Sequence, residues 1–195
     1  MKFLSCAAAA LALCVTASSH ATVLTFETVP SFASIGNFYG PGATFGPDAL
    51  GLQNDVLGPY FSNAPSPIGI MVPVGADATL NVAAGFAQYG FWYTSSEALV
   101  GAVNIYGGLD GTGTLLASID LANNAQSNGC TDSPFCNFTE VTGGFVNDLG
   151  RSITFGGGAG AAGFDNVSFV PEPTSLALVG GALLALVGAG RRRNS

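Results

Sequence analysis

The stretch Ala102–Leu121, AVNIYGGLDGTGTLLASIDL, has two runs of alternating apolar residues around a glycine-rich centre. The apolar positions on either side of Asp110-Gly111 are Val103, Ile105, Leu115, Ala117 and Ile119. Alternation with a period of two indicates β-strands, and Asp-Gly favours a two-residue hairpin turn. The stretch therefore predicts a β-hairpin. Glycines of this kind also occur in calcium and phosphate loops, but the turn itself requires them for positive φ, so we prefer the hairpin interpretation.

Short β-branched and aromatic runs recur on both sides of this hairpin, separated by Gly, Pro, Asn and Asp. Together with the hairpin they predict ten strands; the other eight cover residues 23–27, 43–45, 68–74, 78–83, 86–95, 138–146, 151–157 and 164–170. Patterns typical of helices are nearly absent between them. The expected fold class is all-β: a two-sheet antiparallel β-sandwich, jelly-roll-like, occupying residues 22–169.

The amino terminus has the pattern of a secretory signal peptide. One cation, Lys2, precedes an apolar run from Phe3 to about Val15, and the small-x-small triplet Ser19-His20-Ala21 follows. The apolar run is shorter than the roughly 20 residues that a transmembrane helix requires. We therefore expect residues 1–21 to form a signal helix that is removed after Ala21.

The carboxyl terminus has the pattern of a temporary membrane anchor. Residues 174–190 carry no charge and predict a single transmembrane helix, although four glycines weaken it. Arg191, Arg192 and Arg193 follow directly, and such a cluster resists translocation. We expect these arginines to act as a stop-transfer signal that keeps the extreme terminus in the cytoplasm.

The last 26 residues, 170–195, resemble a PEP-CTERM sorting signal. The resemblance rests on Pro171-Glu172-Pro173, the apolar segment and the arginine cluster, in that order and at the end of the sequence. It implies an exosortase-type processing enzyme as partner and removal of the tail near the Pro-Glu-Pro motif. It also implies a Gram-negative bacterium that makes exopolysaccharide, with the protein first anchored in the inner membrane and then placed at the cell surface or in the extracellular matrix.

The charged residues of the predicted domain exclude several functions. Of five basic residues, only Arg151 lies between the signal and the tail, whereas only Glu172 of the twelve acids lies outside that range. Nucleic-acid binding is excluded because it requires clustered Lys and Arg. The one histidine, His20, belongs to the signal peptide, so the processed domain has neither histidine nor lysine. Ser-His-Asp and Cys-His catalysis, histidine-bound zinc and Schiff-base chemistry are therefore excluded.

Two cysteines, Cys130 and Cys136, remain once the signal peptide is removed. Export to an oxidising compartment predicts a disulfide between them. A zinc site would need further thiol or imidazole ligands, and the spacing differs from the two-residue gap of thioredoxin-like redox sites. We interpret the pair as a staple on an exposed loop.

The body also resembles a recurring type of PEP-CTERM protein with a jelly-roll sandwich similar to carbohydrate-binding modules. The resemblance rests on LTFETVP, IGNFYGPGATFGP, VNIYGGLDGTGTLLASIDL and GAAGFDNVSFV. In similar jelly rolls a structural Ca²⁺ often joins an acid after the first strand to one near the last. Glu27 and Asp165 stand at those places, and carboxylate oxygens suit calcium. The alternative is that Glu27 is an ordinary strand residue and that Asp165 caps a turn.

The run FAQYGFWYTS, residues 86–95, offers candidate ligand-binding side chains. Alternation along one strand would put Tyr89, Phe91 and Tyr93 on one face and Phe86 and Trp92 on the other. One face must be core, and the other could present an aromatic platform to a sugar ring. We take Tyr89, Trp92 and Tyr93 as candidates, against the alternative that such rings are ordinary core residues.

These observations favour an exported, non-enzymatic envelope or matrix protein, with exopolysaccharide as its expected ligand. A structural or adhesive matrix protein that acts through protein contacts is the first alternative. A glycosidase or lyase that uses paired carboxylates is the second, because acids are the only catalytic groups that the sequence leaves available.

Overall fold

The computed structural model describes residues 20–55 and 58–171. Residues Ala21–Pro171 form one compact unit. The predicted signal helix, the predicted transmembrane helix, Glu172, Pro173 and the arginine cluster lie outside the described residues. Within the described part of the chain, no helix is long and apolar enough to cross a membrane.

The described residues contain strands and two single turns of 3₁₀-helix, at Ser127–Gly129 and Gly156–Gly158. The strands are β1 (Thr22–Leu24), β2 (Thr44–Phe45), β3 (Ala49–Gln53), β4 (Gly69–Pro73), β5 (Thr79–Phe86), β6 (Gln88–Ser95), β7 (Leu99–Tyr106), β8 (Leu115–Leu121), β9 (Thr139–Gly144), β10 (Gly150–Thr154) and β11 (Ala162–Val170).

The strands form two antiparallel sheets. The front sheet has the order β3-β4-β11-β6-β9, and β1 also pairs with β11. The back sheet has the order β2-β5-β10-β7-β8. The predicted all-β class with two antiparallel sheets in a β-sandwich is confirmed.

The hairpin predicted at residues 102–121 is present as β7 and β8. Val103 pairs with Ile119, and Ile105 pairs with Ala117. Asp110 and Gly111 both have positive φ, 55° and 66°, as the mirror-image turns of two-residue hairpins require. The Asp110 carboxylate accepts a hydrogen bond from the Asn81 side chain at 2.6 Å, which ties the turn to β5.

Two details of the strands differ from the sequence-based prediction. Strand β3, Ala49–Gln53, was not predicted at all. The run 86–95 is also not one strand: Phe86 ends β5 in the back sheet, and β6 begins at Gln88 in the front sheet. Phe86 is therefore a fully buried core residue and does not share a face with Trp92, so that part of the prediction is wrong.

The core lies between the sheets and is rich in phenylalanine. Phe91 of β6 and Phe164 of β11 have ring centroids 5.7 Å apart, and Phe155 lies 4.7 Å from Phe164. All three rings are fully buried. Leu80 and Ile105 approach them from the back sheet and belong to the same buried cluster.

One segment, residues 32–36, covers the same lateral side of both sheets. On the front sheet the Phe32 N–H donates to the Gly51 carbonyl, and the Ile35 N–H donates to the Ala49 carbonyl. On the back sheet the Phe45 N–H donates to the Gly36 carbonyl. At the opposite side, β9 and β8 are the last strands of their sheets.

Candidate functional site

Part of the front sheet presents a flat surface on the side that faces away from the back sheet. Strand register places its residues in three rows that cross β9, β6 and β11. The rows are Gly144/Gln88/Val170, Thr142/Gly90/Ser168 and Glu140/Trp92/Asp165. We call this surface the outer face.

An open groove of about 450 Å³ lies along the first two rows of the outer face. Its lining consists of Gln88, Tyr89, Gly90, Thr142, Gly143, Gly144, Ser168, Phe169 and Val170. Gly90 keeps the groove open, because a Cβ atom at this position would lie 2.8 Å from the Ser168 hydroxyl and 3.4 Å from the Thr142 methyl group. The groove therefore has a backbone floor with short polar side chains along it.

Trp92 and Glu140 stand beside each other in the third row of the outer face, next to the groove but not among the residues that line it. They are directly paired across β6 and β9, one row from Gly90 and Thr142. Directly opposed residues have Cβ atoms about 4.5–5.5 Å apart. Trp92 is half-buried and Glu140 is exposed. Among the residues that the structure describes, the Glu140 carboxylate has no hydrogen-bond or ion-pair partner.

The structure does not bring the three candidate aromatic residues onto one surface. Tyr93 points into the core, is 5% exposed, and its hydroxyl accepts a hydrogen bond from the Ala122 N–H. Tyr89 is half-buried at the end of the core, 5.7 Å from the Phe145 ring, and burial raises its pKa. Tyr89 is among the residues that line the groove, but Trp92 alone of the three directs its side chain to the outer face, so it is the one that we keep as a ligand platform.

Glu27 and Asp165 hold the same segment of backbone. The Asp165 carboxylate accepts hydrogen bonds from the Ser66 N–H at 2.8 Å and the Ser66 hydroxyl at 2.7 Å. The Glu27 carboxylate accepts from the Ile68 N–H at 3.1 Å and the Gly69 N–H at 3.0 Å. The two carboxylates therefore secure the loop that leads into β4.

Burial is the largest influence on the pKa of Asp165. Asp165 has no solvent exposure, and burial raises its pKa to about 6. The hydrogen bonds from Ser66 and from the Asn166 N–H oppose the rise, whereas the nearby Glu27 charge adds to it. The resemblance to jelly-roll proteins had implied that Glu27 and Asp165 lie close together.

The groups that surround the Glu27 and Asp165 carboxylates can be compared with the ligands that a calcium ion requires. Calcium requires six to eight oxygen ligands, whereas the partners seen here are N–H groups and one hydroxyl. Within the described residues, no group of three or more His, Cys, Asp or Glu side chains is placed to hold a metal ion. Calcium binding at Glu27 and Asp165 stays a prediction.

The predicted disulfide between Cys130 and Cys136 is confirmed. Its loop packs on the other half of the front sheet, where Phe135 contacts a small apolar cluster of Leu52, Phe61 and Ile70. The Ser62 N–H donates to the Phe135 carbonyl and joins this loop to the segment before β4. The described residues thus cover the β3–β4 half of the sheet and leave the β6–β9 half open.

The sequence reasoning missed the polar members of the groove. Thr142 and Ser168 lie in predicted strands, and Glu140 precedes Thr142 by two residues on the same face. Their alternation with Val141 and Phe169 was a usable signal, because alternate residues of a half-buried strand face outward. What the sequence did not show was that β9 and β11 both flank β6.

Comparisons with known proteins show similarity in fold only. No family model matches the chain, and no curated protein matches it. Among solved structures, the chain is similar to the K2 cleaved adhesin domain of Lys-gingipain (Kgp), with a TM-score of 0.51 and 12% identity over 77% of this chain and 99% of that chain.

Two other solved structures give lower scores. CsCBM6-3 from Clostridium stercorarium, in complex with cellobiose, has a TM-score of 0.41 and 11% identity over 77% of this chain and 92% of that chain. A family 29 carbohydrate binding module from Piromyces equi has a TM-score of 0.42 and 10% identity over 77% of this chain and 91% of that chain. These two matches, with TM-scores below 0.5, carry no argument, and the match to the adhesin domain, at 12% identity, shows similarity of fold alone.

Proposed function

We propose that this protein is an exported, non-enzymatic polysaccharide-binding protein built on a jelly-roll-like sandwich. The observation that carries the proposal is the open groove on the outer face, with its glycine floor and with Trp92 in the row of residues next to it. Exopolysaccharide is the proposed ligand.

The shape and chemistry of the groove suit a sugar chain. A sugar ring has an apolar face of C–H groups, which packs on an aromatic ring such as that of Trp92. Its rim of hydroxyl groups needs both donors and acceptors, which Gln88, Thr142 and Ser168 supply. Because the groove is open along its length, a polymer can lie in it without having to thread an end.

The carboxylates support a role without catalysis. A glycosidase needs two carboxyl groups that reach the substrate in a cleft, about 5–10 Å apart. Asp165 is fully buried, and both it and Glu27 bind backbone donors of residues 66–69. This pair therefore serves the fold in the structure described here, and we propose no reaction for it.

We further propose that the two ends of the sequence direct export and sorting. Residues 1–21 act as the signal peptide and residues 170–195 as a PEP-CTERM signal that an exosortase-type enzyme recognises. The protein is then anchored in the inner membrane until the tail is removed, and afterwards it lies at the cell surface or in the matrix. The arginine cluster and the Pro171-Glu172-Pro173 motif support this proposal.

A second candidate function is adhesion through protein contacts. It is favoured by β8 and β9, which are the terminal strands of their sheets on one side of the domain. Unpaired edges of this kind can accept a strand from a partner. The similarity in fold to an adhesin domain is compatible with this alternative.

Co-sedimentation of the full-length protein with insoluble exopolysaccharide from its producing cells tests the leading proposal. We expect saturable binding that falls at least tenfold in Trp92→Ala, because the ring loses its stacking contact. Phe38→Ala is the matched control, since Phe38 is a 50% exposed ring that belongs neither to the groove nor to the outer face. Absence of saturable binding would favour the adhesive alternative.

Mass spectrometry of the exported protein tests the sorting proposal separately. We expect a form that begins after Ala21 and lacks Arg191, Arg192 and Arg193. An exported form that retains the three arginines contradicts the proposal, whatever the result with polysaccharide.

A further inference from the structure

We propose that the groove prefers polysaccharides that contain amino sugars with free, positively charged ammonium groups. This inference rests on the proposed polysaccharide-binding function and specifies the ligand class of the same site. The juxtaposition that carries it is the Glu140 carboxylate, which has no partner among the described residues and lies directly opposite Trp92 in the row next to the groove.

Glu140 differs from the acids that the fold uses for itself. Several acidic side chains accept hydrogen bonds from within the protein; they are Glu27, Asp48, Asp110, Asp120 and Asp165. The carboxylate of Glu140 is exposed and makes no such bond with any described residue. It is therefore available as the counter-ion of a bound cation.

Trp92 supplies the second part of a cation site. An ammonium group within about 6 Å of an indole ring is attracted by the negative face of the ring. The register places Glu140 on the β9 side of Trp92 and the buried Asp165 on its β11 side. A cation that approaches the ring thus meets negative charge in the same row and no positive charge.

The charge distribution of the domain disfavours the opposite class of ligand, an acidic polysaccharide. Arg151 is the one basic residue between the predicted signal and the tail, and it lies on β10 of the back sheet. The groove therefore has no cation to pair with the carboxylates of a uronic-acid polymer. Such a polymer would bring its own negative charges next to Glu140, which costs free energy.

The test compares three soluble probes of equal length by calorimetry with the full-length protein. The probes are a glucosamine hexamer with free amines, its fully N-acetylated counterpart and a hexamer of uronic acid, at one near-neutral pH and two ionic strengths. We expect the glucosamine hexamer to bind about fivefold more tightly than the acetylated one, as one exposed ion pair and one cation–π contact allow. Salt should reduce this preference, because it screens exposed charges. The uronic-acid hexamer should bind most weakly.

Two matched variants assign the preference to its residue. Glu140→Gln keeps the size of the side chain and should remove the preference for free amines while leaving the acetylated hexamer unaffected. Glu97→Gln is the control, because Glu97 is an exposed glutamate in the turn between β6 and β7. The inference is overturned if both variants lose the preference for free amines equally, or if Glu140→Gln retains that preference.

The inference and the underlying function fail in different ways. Equal binding of the free and acetylated hexamers, lost in Trp92→Ala but retained in Trp92→Phe, overturns the amino-sugar preference and leaves polysaccharide binding intact. No binding of any hexamer, together with no sedimentation with exopolysaccharide, overturns both.

Discussion

The carboxylate of Asp165 accepts hydrogen bonds from both the N–H and the hydroxyl of Ser66, a residue 99 positions earlier in the sequence. The Ser66 hydroxyl also lies 3.1 Å from the Thr25 carbonyl. These contacts join the first strand region, the loop before β4 and the last strand at one buried point. The stability of the domain is therefore sensitive to the charge of a single side chain.

We expect the free energy of unfolding to rise as the pH falls from about 6 to about 4. Burial raises the pKa of Asp165 from 3.8 to about 6, so in this range the folded protein binds a proton that the unfolded chain still lacks. The gain has an upper bound of about 3 kcal/mol. Urea denaturation with a chelator present measures it, and Asp165→Asn, which cannot titrate, is the reference. The prediction is contradicted if the free energy of unfolding of the wild-type protein, relative to that of Asp165→Asn, decreases as the pH falls.

Calcium bound at Glu27 and Asp165 should oppose protonation of Asp165, because the ion favours the ionised carboxylate. We expect added Ca²⁺ to raise the melting temperature, since a ligand at 100 times its Kd stabilises the folded state by about 2.7 kcal/mol. Calorimetric melts with and without chelator measure this rise. Glu27→Gln should abolish the rise, and Asp148→Asn, which changes an exposed acid elsewhere, should retain it. If the melting temperature of the wild-type protein does not change when Ca²⁺ is added, the proposed calcium site is wrong.

Phe91 and Trp92 are adjacent in sequence and lie on opposite faces of β6, so alanine substitutions should separate stability from binding. Phe91→Ala removes a fully buried ring and should lower the free energy of unfolding by about 3–5 kcal/mol. Trp92→Ala removes a half-buried ring and should cost about 1–2 kcal/mol. Urea denaturation of both variants measures the costs. Equal losses would show that Trp92 is a core residue and not a platform.

The disulfide between Cys130 and Cys136 closes a short loop, and its removal should cost about 2 kcal/mol. We expect the Cys130→Ser/Cys136→Ser variant to unfold at lower urea concentration. A reducing agent should bring the wild-type protein to the same midpoint and leave the variant unchanged. If binding of polysaccharide also falls in the variant, the covered half of the front sheet takes part in recognition.

The alternation of apolar residues was sufficient to predict most of the strands. The hairpin of β7 and β8 was predictable because its pattern and its Asp110-Gly111 turn are both local in sequence. Strand β3 was not, because Ala49–Gln53 is short and has a glycine at its centre. Gly51 is needed there, since a Cβ atom would lie 2.6 Å from Val29 Cγ1. Such a close approach depends on tertiary structure and leaves no periodic signal.

The break between β5 and β6 was missed for a similar reason. The chain crosses from one sheet to the other at Ala87, whose N–H donates to the Val170 carbonyl and whose carbonyl accepts from the Phe145 N–H. These partners are distant in sequence. Gly85, which has a φ of +75°, was the local sequence feature that could have indicated a break in the strand.

The candidate site was predictable only in part. The pairing of Glu27 with Asp165 followed from a family resemblance, and Trp92 followed from its aromatic character. The groove depends on β9 and β11 lying on either side of β6, an order that strand propensity does not specify. Glu140 became a candidate only when the register placed it opposite Trp92.

Residues 32–36, which cover one side of both sheets, also limit how copies of this domain can add to one another. Within the described residues, a strand from outside can extend either sheet only beyond β8 or β9, since the edges at β2 and β3 already have partners. Asp120 on β8 and Glu140 on β9 place negative charge at those remaining edges. A domain of this kind can end a growing stack of sheets but cannot extend it from both sides, which opposes fibre formation.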